Sequence, residues 1–347
     1  MSNAPGLSLP AGPAVPAGRS GAVIRADFFQ RFLAFGALLV LILFFQVWCV
    51  AIGTNFLTFE NFVNILVATA VVGVLALGET FVIITGGIDL SVGTVMTVSM
   101  VMTAVCITSQ HLPVPVGILV GFLTGGLMGL VNGVLVAHLK LAPFIATLGI
   151  LNVARGLSLV ITQTRPIYFA GDNGFQDSVM GNLFGVKLSG EFGIPIIAII
   201  MFAAALFAAF LLGKTVLGRY TFALGSNEEA ARLSGVNVDK WKMLVYTVCG
   251  LFAGLAGVLT GARLGSAQPA TGFGLELSAI SAVVIGGTSL SGGEGTILGT
   301  VIGAFIVYVL TYGLQFVNVP QEWQIVVTGV VVIGAVYIDN LRRRQRA

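Results

Sequence analysis

Residues 82–93 read VIITGGIDLSVG, and residues 283–293 read VVIGGTSLSGG. Aligned from Gly86 and Gly286, the eight-residue motifs GGIDLSVG and GGTSLSGG share five identities at an offset of 200. Each closes an apolar run with a glycine pair, which frees backbone groups from helical pairing. At membrane depth such groups survive only when buried in protein or facing a water-filled cavity. Two matching interruptions in one apolar chain are the mark of an internal repeat with broken helices, as in many transporters. The expected fold is an all-α polytopic membrane protein. It has about ten transmembrane helices, duplicated internally and broken at the GG-x-x-LS motifs.

Composition agrees with lipid as the main solvent. The 347 residues are 56% hydrophobic and 9% charged, with mean hydropathy +1.00. A soluble domain carries about 25% charge, so this chain cannot cover a water-facing surface. Forty-six glycines fit the same picture, because glycine lets membrane helices approach closely. Cys49, Cys106 and Cys249 lie in apolar runs without metal-ligand spacing and read as small buried hydrophobes. His111 and His138 end apolar runs with no partner pattern, so no metal site is expected.

Apolar stretches long enough for the roughly 30 Å hydrocarbon core are predicted near 32–53, 62–85, 90–108, 113–137, 143–162, 192–213, 243–265, 275–287, 297–315 and 323–339. The eighth is too short for a full crossing and reads as a broken helix. Residues 1–25 are expected to form a disordered cytosolic tail, its first part rich in Pro, Gly, Ala and Ser. Residues 26–341 form the transmembrane domain, with a polar loop at 214–242, and 342–347 are a basic tail. The first span reads as a retained helix rather than a cleaved signal.

With both termini in the cytosol, 13 of the 17 Lys and Arg residues fall inside, and Arg165, Lys187 and Arg263 fall outside. Arg155 lies within a span. The opposite orientation would reverse the imbalance, so the positive-inside rule sets the topology, in a bacterial inner membrane. Segment 163–191 reads as a polar periplasmic lid. Gly117, Gly121, Gly125, Gly129 and Gly133 stripe the fourth span, and Gly250, Gly254, Gly257, Gly261 and Gly265 the seventh. Both stripes read as helix-packing seams.

At the two breaks the candidate residues are Gly86, Gly87, Asp89 and Ser91, and Gly286, Gly287, Ser289 and Ser291. Either they lie on a translocation path or its gate, or they make tight interhelical turns with Asp89 and Ser91 as N-caps. Glu79, Asn132, Arg155 and Glu276 are polar residues inside apolar runs. Intramembrane ionisable groups point to a path, yet the favoured reading of Arg155 is a pairing with Glu79 or another carboxylate that holds the bundle together.

The polar stretch at 213–242 contains GSNEEAARLSG, residues 225–235. Ser226 or Asn227 can cap a short helix, Glu228 and Glu229 favour its first turn, and Gly235 suits a left-handed C-terminus. The rest of the segment is Gly225, Ala230, Ala231, Arg232, Leu233 and Ser234. A chain without a soluble domain has little intrinsic use for such a rigid cytosolic helix, so docking to a partner is the economical reading, the alternative being a surface loop without a partner. Gly213-Lys214-Thr215 is no phosphate loop, because Ala208 stands where its first glycine would be and no strand precedes it. Nucleotide hydrolysis would have to come from another polypeptide.

ALGSNEEAARLSGVNV at 223–238, GGIDLSVG, and IGGTSLSGGEGTILGTVIGA at 285–304 together resemble the ribose-type permeases of ATP-binding-cassette importers. The resemblance spans about Phe56 to Tyr337. It implies a permease that translocates a simple sugar by alternating access and is itself no enzyme. It also implies cytosolic ATPase subunits that bind ATP and magnesium, a periplasmic sugar-binding protein and a second permease copy. The 225–235 helix would be the coupling helix seated in the ATPase. This chain would bind no cofactor and no nucleic acid. Trp323 and Tyr312 are candidates for stacking on a sugar or for interface anchors. The rival readings are a nucleoside or branched-chain amino acid permease of the same class, an ion-coupled secondary transporter using Glu79 and Asp89, and, more remotely, a membrane enzyme.

Overall fold

The computed structural model describes residues 21–169, 174–176 and 195–344. In chain order the helices are α1 Gly21–Ala51, α2 Phe59–Ile84, α3 Val92–Ala104, α4 Val114–Ala137, α5 Pro143–Thr162 and α6 Ile196–Lys214. There follow α7 Val216–Ser226, α8 Glu228–Leu233, α9 Val238–Leu264, α10 Leu275–Ile285, α11 Ile297–Phe316 and α12 Gln321–Arg344. A wider turn over Val105–Ser109 extends α3. Among the described residues eight helices are long and apolar enough to cross a membrane, and two shorter apolar helices, Leu275–Ile285 and Gln321–Gly334, accompany them. The chain is thus a helical multi-pass membrane protein.

Several expectations change in detail. Residues 21–25, placed in the tail, already belong to α1, while 1–20 lie outside the described residues. So do 345–347 of the basic tail and most of the 163–191 lid. The described start of that lid adds a departure from an all-helical fold. There β1 (Ile167–Tyr168) pairs antiparallel with β2 (Ser266–Ala267). Within the polar stretch at 214–242 the expected short helix is α8, and the rest is helical too, as α7 and the start of α9.

α2 is the axis of the bundle: 94% of its apolar window is buried, against 11% for α1, which faces outward. Thr58 starts α2 by accepting a hydrogen bond from the Asn61 amide. Around α2 pack α6, α9, α10 and α11, with Val71, Leu75, Phe81 and Ile84 in the core.

The glycine stripe of α4 meets α9 at backbone distance. A Cβ at Gly125 would lie 2.5 Å from the Gly254 nitrogen, and one at Gly133 would lie 2.7 Å from the Met243 Cα. The α9 stripe is divided. Gly250 and Gly254 face α4, Gly257 faces α3, and Gly265 ends the helix at φ +63°. Because water-driven association is absent between apolar helices in lipid, this contact has to supply the attraction. Replacing Gly125 by valine should therefore cost on the order of 1–3 kcal/mol or more, the range for overpacking. Thermal unfolding in detergent would check this. An unchanged midpoint would show that the seam tolerates separation.

Candidate translocation and coupling site

The first motif is held by a buried polar cluster. Glu79 on α2 is fully buried, and its Oε1 accepts the backbone N–H of Asp89 at 3.0 Å. The Asp89 carboxylate accepts from the Ser91 amide at 2.8 Å and the Ser91 hydroxyl at 2.6 Å. Asn132 on α4 donates through Nδ2 to Asp89 Oδ2 at 3.2 Å and to Ser91 Oγ at 2.8 Å. Asp89 and Ser91 therefore do not act as side-chain N-caps. Asp89 closes the turn before α3, and Ser91 makes no side-chain cap bond to that helix. The expected Glu79–Arg155 pair is absent too. Arg155 is exposed on α5, with its guanidinium 4.5 Å from the centre of the Phe273 ring.

The second motif repeats the turn in neutral form. Ser289 Oγ accepts the Ser291 amide at 3.2 Å, two residues apart as in the first copy. Helix termination also repeats. Gly86 donates to the Ile83 carbonyl and Gly287 to the Val284 carbonyl, each at 2.9 Å, with φ +80° and +89°. These glycines stand 201 residues apart, whereas the turn residues Asp89 and Ser289 stand 200 apart. The second copy is thus one residue shorter between helix end and turn.

Both motifs converge on the end of α7. The Gly293 N–H donates to the Ile84 carbonyl at 2.9 Å, joining the second motif to the end of α2. Gly225 sits against that junction, where an added Cβ would overlap the Ile84 oxygen and come within 2.5 Å of the Gly293 nitrogen. A Cβ at Gly292 would lie 3.0 Å from the Gly225 oxygen and the Gly86 nitrogen. Three stretches far apart in the chain meet here through bare backbone.

Gly225 and Ser226 close α7, and Asn227 rather than Ser226 caps α8. Its side chain accepts the Ala230 amide at 2.9 Å, while the Ser226 hydroxyl bonds back to Phe222. At the other end Gly235 adopts φ +84°, its N–H donates to Arg232 and that of Val236 to Ala231. This two-bond ending needs a left-handed residue, which glycine supplies without strain. Ala231 and Val236 pack with Leu224 and Val238 beneath the helix. An ionic chain latches α8 in place: Lys242 to Glu228 at 2.6 Å, Arg232 to Glu228 and to Asp239 at 3.5 Å, and Asp239 to Lys140. Glu229 and Leu233, one turn apart, point outward, and Leu233 is 83% exposed.

The remaining candidates disperse. Glu276 is buried and accepts the Gly274 amide, closing the start of its own helix. Tyr312 donates to Asn61 at 2.8 Å and accepts from Asn64, which makes it a brace between α2 and α11. Trp323 is exposed on α12. Thr215, the last of the phosphate-loop lookalike, caps α7. Phe273 and the helix α7 escaped the sequence reading. Phe273 sits between two glycines just outside the 275–287 run with no motif of its own, and polar residues over 213–242 hid α7.

The family model described as branched-chain amino acid transport system / permease component matches residues 61–336. The ribose import permease protein RbsC of Escherichia coli is 42% identical over 88% of this chain and 92% of its own length. Its Bacillus subtilis counterpart is 45% identical over 83% and 87%. The D-allose transport system permease protein AlsC of Escherichia coli is 39% identical over 82% and 85%. No solved structure matches the chain significantly.

Proposed function

The chain belongs to the permease-component family of branched-chain amino acid transport systems, and from that premise we propose that it is the membrane subunit of an ATP-binding-cassette importer for a simple sugar. The observation that carries this is 42–45% identity, over more than four fifths of the chain, to ribose import permeases. The family label alone would equally admit an amino acid, but the close relatives named above carry ribose and allose. The chain is a transport component, not an enzyme. Its partners in this reading are cytosolic ATPase subunits that bind ATP and magnesium, a periplasmic sugar-binding protein and a second permease copy. The membrane is the bacterial inner membrane, with both termini in the cytosol.

Helix α8 is the coupling helix in this account. Its capped ends and ionic latches make it rigid, and its free Glu229–Leu233 face is what an ATPase groove would grip. Motion of α8 passes through Gly225 to both motif loops at once. Those loops form the cytosolic gate, with Glu79, Asp89, Ser91 and Asn132 bracing the first. The same hydrogen bonds speak against an ion-coupled transporter, because Glu79 and Asp89 are spent on protein partners.

Uptake of labelled ribose into proteoliposomes holding the chain, its ATPase and its binding protein should require ATP. Uptake driven instead by a proton or sodium gradient would overturn the reading. In the same assay Leu233→Asp should lower uptake at least about tenfold, the effect of losing one buried apolar anchor at an interface. Folding should be unaffected, since the side chain is exposed. Unaltered ATP-dependent uptake in this variant would sink the coupling role of α8 while leaving the class intact.

A further inference from the structure

We infer that Arg155 and Phe273 form a contact station for a polyhydroxylated solute halfway across the membrane, an inference that rests on the sugar-permease reading. α10 has 11 residues and is about 16 Å long, roughly half the hydrocarbon core. Its C-terminal end lies against the N-terminal end of α11, where a Cβ at Gly286 would be 2.7 Å from the Thr300 nitrogen. Its first residue, Leu275, is therefore at mid-depth. The segment before it, residues 268–274, is non-helical and packs on α3, with the Gly272 N–H donating to Thr97 Oγ1 at 3.0 Å. Gln268, Ala270 and Phe273 on this segment are exposed. Exposed irregular backbone at this depth lines a water-filled cavity and does not face lipid.

Arg155 supports the same conclusion independently. On α5, Thr147 touches the Ile88 carbonyl within the first motif, and Arg155 lies eight residues further on, about 12 Å along the helix. It is exposed, it forms no ion pair among the described residues, and Asn152 is exposed one turn away on the same face. An unpaired guanidinium is not placed against hydrocarbon, so this face looks onto water. The Phe273 ring lies beneath the guanidinium at 4.5 Å, a cation–π contact that holds it in place.

The chemistry of this pair fits a sugar. The ring offers an apolar face to the C–H side of a pyranose or furanose, and the guanidinium donates several hydrogen bonds to hydroxyl and ring oxygens. Neither group selects one stereoisomer sharply, which suits a relay from a binding protein that has already chosen the solute.

The test combines accessibility with transport in the assembled importer. Phe273→Cys, in a chain whose Cys49, Cys106 and Cys249 are replaced by serine or alanine, should react with a charged, water-soluble thiosulfonate, and ribose should slow the reaction. Labelling by lipid-soluble maleimides alone overturns the inference. In uptake assays Arg155→Gln and Phe273→Leu should each reduce ribose transport about tenfold, the effect of removing one charge-assisted hydrogen bond or its equivalent. Arg155→Lys and Phe273→Trp should retain more and alter the ratio of pentose to hexose uptake. ATPase stimulation by the loaded binding protein should persist in all four. Uptake within twofold of wild type with an unchanged ratio, or parallel loss of ATPase stimulation, overturns the station. A wild-type importer that takes up no sugar with ATP overturns the parent reading, and this inference falls with it.

Discussion

Gly225→Ala is expected to abolish ATP-driven sugar uptake, although alanine favours an isolated helix by about 1 kcal/mol over glycine. The position ends α7 against two backbone segments, the last carbonyl of α2 and the amide of Gly293. Neither is a side-chain tip that can rotate away. An added Cβ would overlap the Ile84 carbonyl oxygen, and restoring ordinary contact there would move α7 by more than about 1 Å, at an overpacking cost of about 1–3 kcal/mol or more. That shift falls on the junction through which α8 reaches both motif loops. Basal ATPase activity of the complex should remain, while its stimulation by the loaded binding protein and the coupled uptake are lost. Gly213→Ala is the matched control, because an added Cβ there meets nothing within 4 Å. Uptake within twofold of wild type in Gly225→Ala would show that the two loops are not driven through this contact.

Much of this architecture was legible in one dimension. Apolar run length located the helices to within about five residues, apart from the first, which begins at Gly21 rather than near residue 32. Among the described residues eight of them are long and apolar enough to cross a membrane, against about ten expected. The orientation drawn from Lys and Arg would place α8 in the cytosol. The Asn227 cap and Gly235 ending could be read because capping is local chemistry, contained within three or four residues. Failures occurred where partners are distant in the chain. Hydropathy ranks Arg155 and Glu79 as two unpaired charges and matches them, but depth and helix face decide the contact, and they give Arg155 to Phe273. Likewise the glycine motifs announced close approach without naming what approaches. That Gly86, Gly225 and Gly293 share one junction follows only from how three helix ends pack. α7 was missed because an amphipathic helix of 11 residues between polar neighbours looks like a loop to any window sized for a membrane span.

Asp89→Ala should be the most damaging change to stability in the first motif. It removes the acceptor of the Ser91 amide, the Ser91 hydroxyl and the Asn132 amide, all buried. Each buried donor left unmatched costs about 1–3 kcal/mol, so a loss on the order of 3–5 kcal/mol follows even if Ser91 and Asn132 re-pair in part. Detergent-solubilised protein should melt markedly lower and assemble poorly with its ATPase. Asp89→Asn should fall between, because its amide keeps one acceptor oxygen but brings N–H groups against the Asn132 donor. Asn132→Asp in an otherwise native chain should also be harmful, placing two carboxylates side by side. Combining Asp89→Asn with Asn132→Asp restores one donor opposite one acceptor, and the double variant should melt above either single one. Such a rescue depends on the two side chains interacting directly. Additive losses in the double variant would mean that Asp89 acts through Ser91 alone, and that α4 is held to the motif by its glycine seam rather than by Asn132.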